Sequence, residues 1–312
     1  MSRKIALTGA TGFIGSALVH RLEAAGWQIQ ALVRPTSLGR RPAGVATQWV
    51  EGDLEDLDSL RSLVNGVDAI VHCAGAVRGG SRVHFNLVNV GGVARLVQVA
   101  AEQHRVPRFL LISSLAAREP HLSAYAASKR QGEDVLAKGA GEMVWAALRP
   151  PAVYGPGDKE LLPLFRWIGR GIAPVLGSRN ARFSLLYVED LAQAVLKLLD
   201  SGSSERQPFE LHDGHPDGYT WGEVVDTVAR LYNRSVLRLQ VPVGILQLLA
   251  AFNNLGARVI GYAPMLTFGK IREFRHPNWV CDNTTLSRET GWTPRISLEE
   301  GLHRTLRLKH GA

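Results

Sequence analysis

The sequence predicts an α/β fold, in which a doubly wound parallel sheet is followed by a smaller C-terminal lobe. Three observations predict it. An apolar run at residues 5–7 leads through a glycine-rich turn into a helical pattern. Strand-like apolar runs then alternate with helical patterns as far as residue 148, as in the strand–helix–strand units of a parallel sheet. Proline and glycine are dense at 149–158, and the less regular pattern beyond them indicates the second lobe.

The first turn carries the glycines of a phosphate-binding motif. Gly9 permits a backbone angle that a Cβ forbids, Gly12 lets a phosphate approach the main chain, and Gly15 lets the helix pack close to the strand. The unpaired amides at the helix start then face an anion. The spacing is wider than GxGxxG, and an ordinary glycine-rich turn is the alternative, but the position between strand and helix favours a Rossmann-type dinucleotide site. We predict that the following residues contact the cofactor: Gly9, Thr11, Gly12, Phe13, Ile14 and Gly15.

The second and third strands, predicted at 28–33 and 45–50, end at residues that bear on the choice of cofactor. Arg34 stands where an NAD enzyme would have an acid for the ribose 2′-hydroxyl, and an arginine pairs instead with a 2′-phosphate. Arg34 therefore favours NADP(H), and Arg40 and Arg41 are further candidate partners of the 2′-phosphate. If Arg34 is only a solvated loop residue, NAD(H) is the alternative cofactor. We expect Asp53 and Leu54 to contact the cofactor, although Asp53 could equally cap the helix that follows.

Two further strands bring small and polar residues towards the same edge. Strand 67–72 breaks into small residues, and we expect Ala74, Gly75 and Ala76 to lie against the cofactor beside the phosphate turn. After a helix over 86–104, the apolar strand at 109–112 ends in Ser113-Ser114, as expected for a strand covered on both faces. Tyr125 and Lys129 are four residues apart on the next predicted helix, so both side chains share one face.

The chain after residue 150 is predicted to divide its elements between the two lobes. A strand at 183–187, a helix at 188–199 and a strand at 208–212 suggest that the segment 181–212 returns to the sheet. The apolar segment 237–269 is expected to form pocket wall or subunit contact rather than a membrane span, and 298–306 an amphipathic helix. We therefore assign 1–155 to a dinucleotide-binding domain and 156–312 mainly to a substrate-binding lobe.

Composition excludes several classes of function. The 312 residues are 46% hydrophobic and 21% charged, which is typical of a globular protein without a membrane span, and a cytoplasmic location is the expectation. Cys73 and Cys281 have no metal-ligand spacing, so no metal site is predicted. The net charge is +8, but the basic residues are scattered and no basic tract is interleaved with aromatic residues, which argues against nucleic-acid binding.

With these motifs assembled, the chain resembles the extended short-chain dehydrogenase/reductase family, the group that contains NAD-dependent epimerase/dehydratases. The matching motifs occur in the family's order along nearly the whole chain. They are T-G-x-x-G-x-x-G at 8–15, G-D-L at 52–54, H-x-A-G at 72–75, N-V-x-G at 89–92, S-S at 113–114, Y-x-x-x-K at 125–129, R-P-x-x-V-Y-G-P-G-D at 149–158 and G-W-x-P at 291–294.

The resemblance implies roles for individual residues. It makes Ser114, Tyr125 and Lys129 a catalytic triad with Asn89 as a supporting polar residue, and it places Pro150 and Val153 at the nicotinamide end of the cofactor. Tyr125 would act as the acid/base, Ser114 would orient the substrate oxygen, and Lys129 would hold the nicotinamide ribose. A free tyrosine has a pKa of about 10, and we expect the Lys129 ammonium to lower the pKa of Tyr125.

Departures from the family pattern bear on the substrate. Many sugar-nucleotide epimerases have an aromatic residue and an asparagine after the arginine of the R-P motif, where this chain has Pro150, Pro151 and Ala152. The motif and the apolar segment 237–269 look more like hydroxysteroid-type and other carbonyl reductases. We therefore expect NADP(H)-linked hydride transfer between an alcohol and a ketone on a largely apolar small molecule. The alternatives are a nucleotide-sugar epimerase or dehydratase with retained NAD(P) and a non-catalytic cofactor-binding subunit; a homodimer is expected only by analogy.

Overall fold

The structure is a computed structural model that describes residues 3–175, 177–202, 206–260 and 262–307. Its strands are, in chain order, β1 Lys4–Thr8, β2 Gln28–Val33, β3 Gln48–Glu51, β4 Ala69–His72, β5 Arg108–Ile112, β6 Trp145–Arg149, β7 Ala152–Tyr154, β8 Ile172–Val175, β9 Arg182–Phe183, β10 Leu185–Tyr187, β11 Gln207–Glu210, β12 Tyr219–Thr220, β13 Leu237–Gln240 and β14 Asn278–Trp279. Seven of them form one parallel sheet in the order β11-β6-β5-β4-β1-β2-β3. This confirms the predicted fold class.

Helices cover both faces of this sheet. They are α1 Phe13–Ala24, α2 Leu57–Val64, α3 Arg82–Asn86, α4 Gly92–Ala101, α5 Ala124–Gly139, α6 Leu162–Gly169, α7 Val188–Asp200, α8 Trp221–Leu231, α9 Val243–Ile260, α10 Phe268–Arg275, α11 Thr284–Thr290 and α12 Leu298–Leu306. Helices α1 and α7 bury Leu18 and Val195 in the core on one face. Helices α2, α4 and α5 bury Leu60, Leu96 and Leu136 on the other, because a parallel sheet needs apolar cover on both sides.

Parallel strands end at one edge of the sheet, and this edge collects the loops that carry the predicted site residues. The turn after β1, the Arg34 loop after β2 and the small-residue turn after β4 all leave from it. Ser113 and Ser114 follow β5 at the same edge. Ligands of open α/β sheets bind outside the carboxyl ends of the strands, so the topology alone brings these loops to one cleft.

Three elements differ from the sequence-based predictions. The strand predicted at 183–187 is two strands, β9 and β10, which belong to different sheets and are separated at Ser184. The proline-rich crossover contains a short strand, β7, because it pairs with β10 in parallel. The predicted helix 86–104 begins earlier, at Arg82, ends at Ala101 and contains a π-helical turn at Leu87–Gly91, a feature that is frequent at functional sites.

The C-terminal lobe has its own core. Tyr154 and Phe165 pack against Val224, Val228 and Leu302, so α6, α8 and α12 enclose one apolar cluster. Helix α9 is attached differently, since Leu246 and Ala250 are buried against Ile271 of α10 in a separate small cluster. This second attachment holds α9 and α10 beside the carboxyl edge of the sheet, next to the amino end of α5.

A buried ion pair ties α5 to the ends of two strands. The Arg149 guanidinium, at the end of β6, donates to both carboxylate oxygens of Glu133, with Nε 3.0 Å from Oε1 and 3.2 Å from Oε2. The Ser113 hydroxyl, next to the end of β5, donates to the same carboxylate. Only 6% of the Glu133 side chain and 13% of the Arg149 side chain are exposed, so each charge depends on the other for compensation.

Replacement of Glu133 by alanine should lower the free energy of unfolding by about 3–5 kcal/mol, because it leaves the Arg149 charge buried without its partner. Urea denaturation of wild type and Glu133→Ala measures this change. Asp134→Ala is the matched control, since Asp134 lies on the same helix in an exposed pair with Arg130 and should cost about 0.5 kcal/mol or less. Equal losses for the two variants would contradict the importance of the buried pair.

Candidate active site

The turn after β1 is built from close backbone contacts that only glycine allows. Gly9 has a φ of 75°, and a Cβ on it would lie 2.6 Å from the Ala74 amide nitrogen. A Cβ on Gly15 would lie 1.9 Å from the Gly9 carbonyl oxygen. No side chain caps the amino end of α1, so its first amides have no side-chain acceptor. A dinucleotide phosphate requires hydrogen-bond donors, and the free amides beside the exposed Gly12 supply them. The turn after β1 therefore fits the phosphate of a dinucleotide cofactor.

The small-residue turn after β4 lies directly against the glycine turn. The Thr8 hydroxyl accepts a hydrogen bond from the Ala74 amide at 3.2 Å and is 2.6 Å from Nδ1 of His72. Burial lowers the pKa of His72 to about 3, so this imidazole is neutral and serves as a fixed partner of Thr8. The backbone from Ala74 to Ala76 is therefore fixed next to Gly9.

Asn89 holds the other end of this turn. Its side-chain amide donates to the Ala76 carbonyl at 3.0 Å and to the Ser128 hydroxyl at 2.9 Å, while its oxygen accepts from the Ala76 amide at 2.8 Å. Asn89 lies in the π-helical turn and is buried. These hydrogen bonds join the turn to α5, so the geometry of Asn89 is that of a positioning residue.

Tyr125 and Ser114 meet at the edge of the cleft. Ser123 caps α5, accepting from the Ala126 amide at 2.9 Å, and Tyr125 follows in the first turn. The Ser114 hydroxyl accepts from the Ala116 amide at 3.2 Å and is a hydrogen-bond partner of the Tyr125 hydroxyl. A strand end and a helix start thus bring two hydroxyls together across the edge of the sheet.

Lys129 lies one turn further along α5, deeper in the protein. Its ammonium donates to the Ile112 carbonyl at 3.0 Å, and a Cβ on Gly75 would lie 3.2 Å from Nζ. Burial lowers the pKa of Lys129. An ammonium has three donors, and one of them is used on Ile112, so Lys129 retains donors towards the exposed Gly75 turn.

The expectation that Lys129 lowers the pKa of Tyr125 is not met in this structure. Burial raises the pKa of Tyr125 to about 12, the Ser114 hydrogen bond opposes this rise, and the Glu273 carboxylate adds to it. The Lys129 ammonium is bound to the Ile112 carbonyl instead. Tyr125 is therefore a neutral phenol at pH 7, which suits a proton donor better than a base.

A cavity of about 210 Å³ opens beside Tyr125. Its lining comes from the loop after β4, from the start of α5 and from the segment between α9 and α10. Apolar lining residues include Val77, Phe85, Pro264, Met265 and Phe268. The Phe85 and Tyr125 rings are in edge contact with centroids 5.9 Å apart, so the tyrosine forms part of the cavity wall.

Helix α10 contributes charged residues to this cavity that the sequence analysis did not identify. The Ser123 hydroxyl donates to the buried Glu273 carboxylate, which also accepts from the Lys270 ammonium at 2.9 Å. The Arg272 guanidinium donates to the Leu122 carbonyl at 2.7 Å. No local motif marks these residues; the available signal is that Glu273 is an isolated acid in a long basic and apolar stretch.

The remaining predicted residues lie along the same edge of the sheet. Arg34 follows β2 and is exposed, and its guanidinium has no partner within the described ranges. Arg41 is 5.9 Å from the Trp49 ring centroid and donates to the Leu38 carbonyl at 3.0 Å. The Asp53 carboxylate accepts from the Glu55 amide at 2.7 Å, and Asp56 is the residue that caps α2, so the capping alternative for Asp53 was wrong.

Three of the residues that are predicted to contact the cofactor also make packing contacts within the protein. Leu54 is half-buried, and its Cδ1 would lie 2.9 Å from a Cβ on Gly92 of α4. Pro150 is buried, and its carbonyl accepts from the Leu115 amide at 2.9 Å. Val153 of β7 is half-buried against the core beside α1. The described residues hold no group of three or more metal-ligating side chains and no helix long and apolar enough to cross a membrane.

Parallel strands that bring a glycine turn, a strand-end serine and a Tyr–Lys helix to one edge are the arrangement of short-chain dehydrogenases/reductases. Residues 5–211 match the family model described as NAD dependent epimerase/dehydratase family. The chain belongs to that family. The resemblance stated from the motifs is thereby confirmed.

Two curated relatives align over nearly their whole length. The ceramide reductase of Caulobacter vibrioides is 34% identical over 309 residues, covering 97% of this chain and 93% of the relative. The 2-alkyl-3-oxoalkanoate reductase of Stenotrophomonas maltophilia is 27% identical over 341 residues, covering 96% and 98%. Among solved structures, MoeE5 in complex with UDP-glucuronic acid and NAD has a TM-score of 0.76 at 21% identity, covering 98% of both chains. At that identity the structural likeness shows the fold alone.

Gly15→Ala should weaken NADPH binding and lower thermal stability, because a Cβ there overlaps the Gly9 carbonyl and forces α1 away from the turn. Overpacking of this kind typically costs about 1–3 kcal/mol. Fluorescence titration with NADPH and thermal unfolding measure the two effects. Gly244→Ala is the control, because a Cβ at Gly244 meets nothing within 4 Å. If Gly15→Ala binds NADPH like wild type, the turn does not hold the phosphate.

Proposed function

We propose that this protein is an NADP(H)-dependent oxidoreductase that interconverts a ketone and an alcohol on a largely apolar, long-chain molecule. The observation that carries the proposal is the cavity beside Tyr125, because the apolar side chains of Phe85, Met265 and Phe268 share its wall with the ring of this candidate proton donor. The names of the two curated relatives, a ceramide reductase and a 2-alkyl-3-oxoalkanoate reductase, support a long-chain ketone as the substrate class.

The size of the cavity supports partial enclosure of such a substrate. A volume of about 210 Å³ is below the roughly 300–1,000 Å³ of pockets that enclose a drug-sized ligand. The cavity therefore suits the reacting end of a long molecule, and the rest of an alkyl chain would lie on apolar surface outside it. Met265 and Phe268 line the cavity and are also 37% and 46% exposed, so apolar surface continues outwards from it.

The side chains at the cavity have complementary roles in ketone reduction, which adds a hydride to the carbonyl carbon and a proton to its oxygen. A nicotinamide dinucleotide, when bound, supplies the hydride. The Tyr125 hydroxyl donates the proton, and its raised pKa keeps that proton in place at pH 7. The Ser114 hydroxyl accepts from the Ala116 amide and is paired with the Tyr125 hydroxyl, and it would turn its proton to the carbonyl oxygen when a ketone is bound. Lys129 would hold the ribose with the donors that Ile112 leaves free.

Purified protein should oxidise NADPH when supplied with a long-chain 3-ketone, and Tyr125→Phe should lose about 10²–10⁴-fold in turnover while retaining NADPH affinity. The change removes one hydroxyl and keeps the ring that packs on Phe85. Lys129→Ala should weaken both turnover and NADPH affinity. NADPH absorbance measures turnover and fluorescence measures binding.

The same assay distinguishes the alternatives. Conversion of a UDP-sugar without net consumption of cofactor would favour an epimerase, and full activity of Tyr125→Phe would show that the proton moves by another route. Because the pKa of Tyr125 is raised to about 12, kcat/KM for reduction should be nearly flat from about pH 6 to 9, whereas alcohol oxidation should accelerate about tenfold per pH unit. An oxidation rate that levels off near pH 7 would contradict the neutral phenol.

Arg34→Ala should lower the affinity for NADPH by about 1.5–3 kcal/mol and leave that for NADH unchanged, because the exposed guanidinium is the proposed partner of the 2′-phosphate. Titration of both cofactors against both proteins measures the difference. Arg41→Ala is the matched control from the same loop, since that guanidinium already lies over Trp49. Equal affinities of the wild type for NADPH and NADH would refute the preference.

A further inference from the structure

Helix α9 exposes an apolar face that no part of the described chain covers. Five large side chains at helical spacing form it, and each is at least half exposed. This docking face consists of Ile245 (50% exposed), Leu248 (57%), Leu249 (50%), Phe252 (64%) and Leu255 (57%). The opposite side of α9 is buried through Leu246 and Ala250. A packed helix places its apolar side inwards, so an outward apolar side of this size marks an interaction surface.

The Tyr125 cavity borders the packed side of α9. Asn254 lines the cavity and lies four residues after the buried Ala250, so it is on the side of α9 away from the docking face. Met265 and Phe268 also line the cavity and are exposed. The docking face and the cavity therefore lie on different sides of α9.

The segment that contains the docking face has basic residues and no acidic ones. No acidic residue occurs between Asp226 and Glu273, whereas this stretch contains six basic residues, of which Arg238 is paired with Asp226 and Lys270 with Glu273. Glu273 is buried and bound to Ser123 and Lys270, so it contributes no negative surface. Arg275 is exposed and lies seven residues after Phe268, which places both on one side of α10.

We propose that the docking face inserts into the surface of a lipid bilayer that carries anionic headgroups. An uncharged apolar helix side with basic residues beside it is the pattern of an interfacial helix. Anionic headgroups attract such basic residues, whereas a second copy of this chain would present the same positive charge and repel it. The helix lies in the interface and does not cross it, since no described helix is long and apolar enough to span a bilayer.

This docking does not require the reaction proposed above. It brings the protein to the lipid surface, where a long-chain substrate of the proposed reaction would reside. The two proposals are tested by different readouts. If the protein binds vesicles but reduces no ketone, the docking proposal stands and the proposed function fails. If it reduces ketones but binds no vesicle, the proposed function stands and the docking proposal fails.

Flotation of the full chain with vesicles tests the docking. Wild type should float with phosphatidylcholine vesicles that contain about 30 mol % phosphatidylglycerol, and less with phosphatidylcholine alone or in about 0.5 M salt. The double variant Leu248→Gln/Phe252→Gln should lose at least about tenfold in vesicle affinity, because it removes two large apolar groups from the interface. Arg275→Gln should lose about fivefold on anionic vesicles only.

Val106→Gln is the matched control, because Val106 is 44% exposed and precedes β5 at the opposite edge of the sheet. It should float like wild type, and circular dichroism should show unchanged folding for all variants. Flotation of the double variant at wild-type affinity would overturn the proposal. The proposal would also be overturned if, without vesicles, the wild type is a dimer and the double variant is a monomer. That result would assign the docking face to contact with a second copy of the chain.

Discussion

Helix α5 is held on the sheet by charges that the protein buries, and the active site depends on this attachment. The Glu133 carboxylate binds Arg149 and Ser113 at the ends of two strands, and the Lys129 ammonium binds the carbonyl of Ile112 at the end of β5. Each group is taken out of water and compensated by a partner at a defined place. These bonds fix the rotation of α5, and that rotation decides where Tyr125 points.

The same burial determines the chemistry of the tyrosine. Tyr125 is buried in contact with the Phe85 ring, so its ionised form is poorly solvated, and the Glu273 carboxylate repels that form as well. Lys129 has the right helical spacing, but its ammonium is engaged with Ile112. The spacing that places Tyr125 and Lys129 on one face of α5 therefore does not by itself determine the pKa of the tyrosine.

The C-terminal elements connect the site to the outer surface. Helix α10 reaches the amino end of α5 through Ser123 and Glu273, and α9 rests on α10 through a small apolar cluster. Little of α9 is buried, and its outer side leaves five large apolar side chains exposed. An enclosed pocket would require these side chains to turn inwards, whereas here they turn outwards.

The sequence by itself determined the features that rest on local backbone rules. Gly9 and Gly15 predicted the turn because no other residue fits their contacts, and the alternation of strands and helices predicted the parallel sheet. Helical spacing placed Tyr125 and Lys129 on one face. Tertiary structure alone decided what spacing cannot carry: the contact of Ser123 with Glu273 across 150 residues, the division of 183–187 between two sheets, and the direction in which the pKa of Tyr125 moves. These depend on which distant groups share a low-dielectric site, and proximity of that kind is not encoded in any local pattern.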